Sequence, residues 1–331
     1  MSDSGPIARG AVAGRATDGP TVSEVLVEAV SAPVDPATPA ARRHSELRVR
    51  AASADVLAVL VVGLAYVGGL PFRVLAVTVG LIVLQEWSAM TGCLRPFGGA
   101  QSFTVGSMVA VSVAILFGAF GLAIAIALVA FAIGYAVSFK VVREVPRPPD
   151  VRHWSWMPLG FLYAASIMIA FAALRGDGAF GLAVCAFLLG VVWATDIFAY
   201  FVGKNVGGPK LAPRVSPNKT WSGFLGGVFF AVLAGLLVAW AYRAQGFLPA
   251  VPWWLVPVAV VLSVVSQLGD LFESWVKRRS GAKDSGRIIP GHGGIMDRID
   301  GLGAAAVAAL GLLILATGGT DMDDALFAML R

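Results

Sequence analysis

Between Ser274 and Asp300 the chain reads SWVKRRSGAKDSGRIIPGHGGIMDRID, where cations, carboxylates and glycines are densely mixed. Asp297 and Asp300 stand at i, i+3, which puts both carboxylates on one face if a helix has begun there. Asp270 and Ser274 stand at i, i+4 just upstream, again on one face. Oxygen donors at this density suit a hard cation such as Mg²⁺, which takes a few carboxylates together with substrate phosphates. Lys277, Arg278, Lys283 and Arg298 are candidates to meet those phosphates. Gly291, Gly293 and Gly294, around His292, let backbone N–H groups approach an anion closely. The segment therefore reads as phosphate and metal chemistry.

A second polar segment runs from Gly203-Lys204-Asn205 to Ser216-Pro217-Asn218-Lys219-Thr220. It contains no Walker A pattern, so a nucleotide would need another arrangement. Both segments adjoin long apolar runs in which acidic residues are rare and costly. The reading finds three such acids, Glu86, Asp196 and Asp270, each about four to seven residues from one end of its run, or ~6–10 Å deep. Three carboxylates at one depth can converge on one cavity. The plainer alternatives are that each acid bonds a neighbouring helix and that single lysines only mark the cytoplasmic side. For Asp297 alone the alternative is helix-dipole stabilisation of ~0.3–1 kcal/mol, which does not require a second acid three residues on.

These residues must be positioned by membrane helices. Of the 331 residues 57% are hydrophobic and 14% charged, against roughly 25% charged in a soluble domain. The apolar runs are ~17–25 residues long, the length of a spanning helix, and do not alternate as barrel strands do. The expected fold is an all-α polytopic membrane protein with about nine spans and a polar cavity on the cytoplasmic side. The spans fall near 51–68, 71–90, 102–119, 121–139, 156–174, 179–202, 221–242, 254–276 and 301–318. With the N-terminus inside, 21 of the 25 Lys and Arg lie on the cytoplasmic side, leaving Arg73, Arg175, Arg243 and Arg331 outside. The +5 charge follows that asymmetry and does not point to nucleic acid. Residues 1–48, rich in Ala, Pro, Ser, Thr and Asp, read as a disordered cytoplasmic tail ahead of a transmembrane domain over 49–331. No signal peptide is expected. Trp154, Trp156, Trp253 and Trp254 stand at span ends, as interfacial anchors do. Cys93 and Cys185 read as reduced packing residues, and the Gly223/Gly227 spacing as close helix packing.

Ser274, Lys277-Arg278, Lys283-Asp284, Ile289 to Gly294, Asp297-Arg298 and Asp300 resemble the signature of the phosphatidate cytidylyltransferase, or CDP-diglyceride synthase, family at every fixed position. Asp196, Tyr200, Gly203-Lys204, Ser216 to Thr220 and Gly269-Asp270-Leu271 also resemble family motifs, and the likeness spans residues 51–318. The resemblance implies an enzyme of phospholipid biosynthesis in the inner (cytoplasmic) membrane, its active site facing the cytoplasm and its C-terminus opposite. The implied reaction converts CTP and phosphatidate into CDP-diacylglycerol and pyrophosphate. It implies that Asp270, Asp297 and Asp300, with Ser274, hold catalytic Mg²⁺, and the family is also described with a monovalent cation such as K⁺. Asp196 and Lys219 join the catalytic set by the same analogy. Lys277, Arg278, Lys283, His292, Gly293, Gly294, Arg298, Ser216 and Asn218 become substrate-binding candidates, and a homodimer is compatible with the reading.

Two rivals remain at this point. A CTP-dependent polyprenol kinase would need a base to deprotonate an alcohol. A cation-coupled transporter would place ionisable groups at several depths and show an inverted repeat, and neither feature is seen.

Overall fold

In a computed structural model of the chain the described residues are 59–93, 98–144, 156–247, 250–286 and 293–317, all within the compact unit Arg48–Arg331. The N-terminal tail, Trp154 and His292 lie outside them. Eight helices are bounded: α1 Gly69–Thr91, α2 Gly98–Leu116, α3 Phe120–Glu144, α4 Trp156–Arg175, α5 Ala179–Val206, α6 Trp221–Ala244, α7 Leu255–Arg279 and α8 Met296–Thr317. Residues 59–67 are helical as well. Among the described residues seven helices are long and apolar enough to cross a membrane, and Gln101–Leu116 is a shorter apolar helix. Where the expected spans fall on described residues they are largely helical, and the fold is an all-α polytopic membrane protein. Among the described residues the one sheet is a small hairpin, β1 Lys210–Ala212 paired antiparallel with β2 Ser216–Thr220. A five-residue run containing Pro217 and Asn218 carries little strand preference, so it reads from sequence as loop.

α4 occupies the middle, packed against α1, α3 and α8, with most of its length buried. α5 lies most extensively along α6. That closeness needs missing side chains: a Cβ on Gly223 would stand 2.6 Å from the Ala199 carbonyl oxygen, and one on Gly227 would stand 3.0 Å from that of Thr195. The expected packing role of these glycines holds. Gly223→Ala would press a methyl against backbone that cannot turn aside, and ~1–3 kcal/mol of overpacking strain is expected. Thermal unfolding in detergent checks this, with Gly121→Ala, which meets nothing within 4 Å, as the neutral control.

Two of the four basic residues assigned to the far side are fasteners. Arg175, 3% exposed, donates to the carbonyls of Ala65, Tyr66 and Gly178, closing the end of the 59–67 helix and tying it to the turn before α5. Arg73 pairs with Asp177 and donates to Leu116 O at 3.2 Å. Buried guanidinium groups are retained here because the helix-terminal carbonyls need donors. Trp156 is not a free anchor; it packs on Trp87 and Trp275, whereas Trp253 is exposed. Both cysteines are free, and burial pushes the Cys93 thiol up, as a packing residue requires.

Candidate functional site

The site assembles at one end of the bundle, where α5 and α7 finish and α6 and α8 begin. α5 stops at Val206 against Gly207, which takes φ 66°. The hairpin returns the chain to Thr220, whose hydroxyl accepts the Gly223 N–H at 3.1 Å and caps α6. This places Lys219, one residue before the cap, beside α7, and its Nζ lies 2.6 Å from Asp270 Oδ2. Ser274 Oγ donates to the other oxygen of Asp270 at 3.4 Å. Asp196 is exposed on α5 and lies within electrostatic reach of Asp270, Asp300 and Lys219.

α8 begins at Met296, earlier than the expected 301, so Asp297 and Asp300 both lie in its first turns and the i, i+3 condition is met. Their surroundings differ. Asp297 Oδ1 receives Lys277 Nζ at 2.8 Å, Ser285 N shares both oxygens at 3.3 and 3.0 Å, and Gly294 N reaches Oδ2 at 3.0 Å. These contacts use the four lone-pair directions of a carboxylate. Asp297 is thereby a tie between loop and lysine. Asp300 Oδ1 accepts the Gly301 N–H at 2.7 Å, and its carboxyl lies against Glu273.

Glu273 is the residue the sequence reading missed. It lies within the span ending at 276, yet was not among the acids read there. Its side chain is 1% exposed, Oε2 accepts Lys277 Nζ at 2.8 Å, and among the described residues Oε1 has no hydrogen-bond partner. Its i+3 spacing from Asp270 was the available signal. Tyr163 OH and Ser266 Oγ are likewise buried without partners. Tyr163 stands within electrostatic reach of Asp300 and Glu273, and Ser266 lies against Gly301.

The fourth acid, Glu86, does not join this group. It turns to the N-terminus of α8, accepting from Ile295 N at 2.9 Å and Met296 N at 2.8 Å. Gly294 serves the same contact: a Cβ there would stand 2.7 Å from Glu86 Oε2, and its N–H is taken by Asp297. Gly293 adopts φ +83°. Arg278, Lys283, Arg298 and Asn218 are exposed and Ser216 is half-buried. A cavity of about 490 Å³ lined by residues such as Phe187, Tyr242, Leu262 and Leu312 lies at the opposite end of these helices and is almost wholly apolar.

The donor set fits a hard cation. Asp196, Asp270, Glu273 and Asp300 face two paired lysines, and a buried carboxylate oxygen is left without a partner. Like charges held this close call for a proton or a cation between them. Among the described residues no group of three or more His, Cys, Asp or Glu side chains is gathered as a protein-only metal site. Mg²⁺ does not need one, since water and substrate phosphate complete its octahedron.

Comparison with known proteins gives the family. Residues 48–315 match the cytidylyltransferase family. A phosphatidate cytidylyltransferase of Brucella suis biovar 1 (strain 1330) is 42% identical over 289 residues, covering 86% of this chain and 98% of the relative. One from Brucella abortus biovar 1 (strain 9-941) is 43% identical over 268 residues, covering 79% and 91%. One from Bacillus subtilis (strain 168) is 44% identical over 147 residues, covering 43% and 53%.

Proposed function

This chain belongs to the cytidylyltransferase family, and from that premise we propose how its site carries out the reaction. The protein is a nucleotidyltransferase embedded in a membrane. It transfers the cytidylyl group of CTP to phosphatidate, giving CDP-diacylglycerol and pyrophosphate. A phosphate oxygen of the lipid attacks the α-phosphorus of CTP. The new P–O bond forms as the bond to the β-phosphate's bridging oxygen breaks, and pyrophosphate leaves with that electron pair. The nucleophile is already ionised near neutral pH, so no general base is required.

What the residues must do is bring two anions together. Lys219, Lys277, Arg278, Lys283 and Arg298 supply positive charge, and Asp270, Asp300 and Ser274 would hold Mg²⁺. Asp297 can join them only where Lys277 gives way, because its lone pairs are otherwise engaged. Held by these residues, Mg²⁺ would supply charge neutralisation for the triphosphate and the leaving pyrophosphate. Asp196 stands beside the site and balances Lys219. Ser216 and Asn218, on the hairpin beside Lys219, contact the substrate together with Gly293 and Gly294, and His292 joins them by the family motif alone. The site faces the cytoplasm, where CTP is available, and sits near headgroup depth, where phosphatidate is retained.

The observation that carries this reading is the cluster of carboxylates on α5, α7 and α8 with Lys219 and Lys277 set among them. Purified protein given labelled CTP and phosphatidate is expected to form CDP-diacylglycerol with Mg²⁺, to stop on chelation with EDTA, and to recover when Mg²⁺ is restored. Polyprenol phosphate as the product, or turnover indifferent to chelation, would overturn it.

A further inference from the structure

We propose that Glu86 is a positioning residue for nucleotidyl transfer: an N-cap that α1 supplies to α8, fixing where Asp297 and Asp300 stand. The inference rests on the reading of those two acids as site residues.

The first N–H groups of a helix have no partners within it, and a Ser, Thr, Asp or Asn just before the helix ordinarily supplies one. α8 starts Ile295-Met296, and neither side chain can accept a hydrogen bond. The acceptor comes instead from 210 residues upstream. Glu86 Oε1 takes the Ile295 N–H at 2.9 Å, and Oε2 takes the Met296 N–H at 2.8 Å and the Ser285 hydroxyl at 3.3 Å. One carboxylate so binds both the helix start and the loop that precedes it. It also sets negative charge at the positive end of the α8 dipole. Asp297 follows Met296 directly and Asp300 lies one turn on, so the rotation of that first turn decides where both point.

The cap is built and rigid. Glu86 is 2% exposed. Gly286 and Gly294 pack on its two sides, where a Cβ would stand 2.6 and 2.7 Å from its oxygens. The next residue, Trp87, is fully buried, donates to Trp156 O at 3.0 Å and presses on Gly160. α1 is therefore locked to α4, and its carboxylate reaches α8 from a fixed base. Glutamine in this place keeps the shape but offers one acceptor and turns an NH₂ toward the remaining N–H.

The test uses the full-length protein in lipid nanodiscs and compares wild type with Glu86→Gln and Ser285→Ala. Amide exchange over 293–297, kcat and KM for CTP, and the thermal midpoint are measured together. Glu86→Gln is expected to speed exchange at Ile295 and Met296 and to lower kcat by about 10–100-fold, the scale of a misplaced reacting group. KM for CTP should stay within about threefold, because the exposed cations that meet the nucleotide are untouched. Ser285→Ala should repeat the pattern at smaller amplitude and decides the matter if Glu86→Gln fails to insert. Unchanged kcat with faster exchange, lost activity with unchanged exchange, or inactivity explained by unfolding at the assay temperature would each overturn the proposal. A wild type that makes no CDP-diacylglycerol would strike the functional reading, not the cap, which the exchange arm tests by itself.

Discussion

Asp300→Asn is expected to remove CTP incorporation almost entirely, by ~10²–10³-fold or more, the cost of deleting one charge-stabilising group in a transfer site. Asparagine keeps the shape of the side chain and can still accept the Gly301 N–H that Asp300 now receives at 2.7 Å. The first turns of α8 should stand unaltered. What disappears is one of several negative charges crowded between α5, α7 and α8: Asp300 lies against Glu273 and within reach of Asp270 and Asp196. Removing a charge from such a group relieves repulsion. The thermal midpoint should hold or rise while activity vanishes, the trade expected where a site is strained for function. A variant that turns over within about threefold of wild type, or loses activity only because it unfolds, would remove Asp300 from the chemistry.

Lys277→Met should fail in the other direction, losing stability together with activity. Lys277 Nζ stands 2.8 Å from both Glu273 Oε2 and Asp297 Oδ1, with those side chains 1% and 11% exposed. Taking away the cation leaves two largely buried carboxylates uncompensated, at a cost of ~3–5 kcal/mol for a fully buried pair. Lys277 is itself 16% exposed, so the lower end of that range is expected. Adding Glu273→Gln to Lys277→Met removes one stranded charge and should restore much of the lost stability without restoring turnover. Denaturation and activity assays on the two single variants and the double variant form the cycle that checks this. Equal stability of Lys277→Met and wild type would show that these ties hold nothing together.

How the helices end explains where sequence reasoning succeeded and stopped. Apolar runs located the helices, because a span must be long and continuous to cross hydrocarbon. Polar residues blur that signal at a terminus. α8 therefore starts at Met296, several residues before the apolar run does, and this is what brings Asp297 and Asp300 into a helix. The hairpin carrying Lys219 was missed for a related reason. Its pairing is set by the need to return the chain from α5 to α6, against the local preference of Pro217 and Asn218. Glu273 stands three residues after Asp270 and so shares its helix face, but which partner an acid in an apolar run meets is not written in its spacing.

By itself the sequence determined the solvent this protein folds in, the helices that cross it, and the set of oxygens and cations that could handle phosphate. All of these follow from composition and from spacing along one helix. The tertiary structure decided who partners whom. It sent Glu86 to cap a helix while Asp196 and Asp270 stayed with the site, and spent Asp297 on a loop and a lysine. The reason is physical. A carboxylate's partner depends on how far its helix is rotated and slid against the next. Here that is set by the missing side chains of Gly160, Gly223, Gly227 and Gly294 acting across long stretches of chain, and no local pattern encodes it.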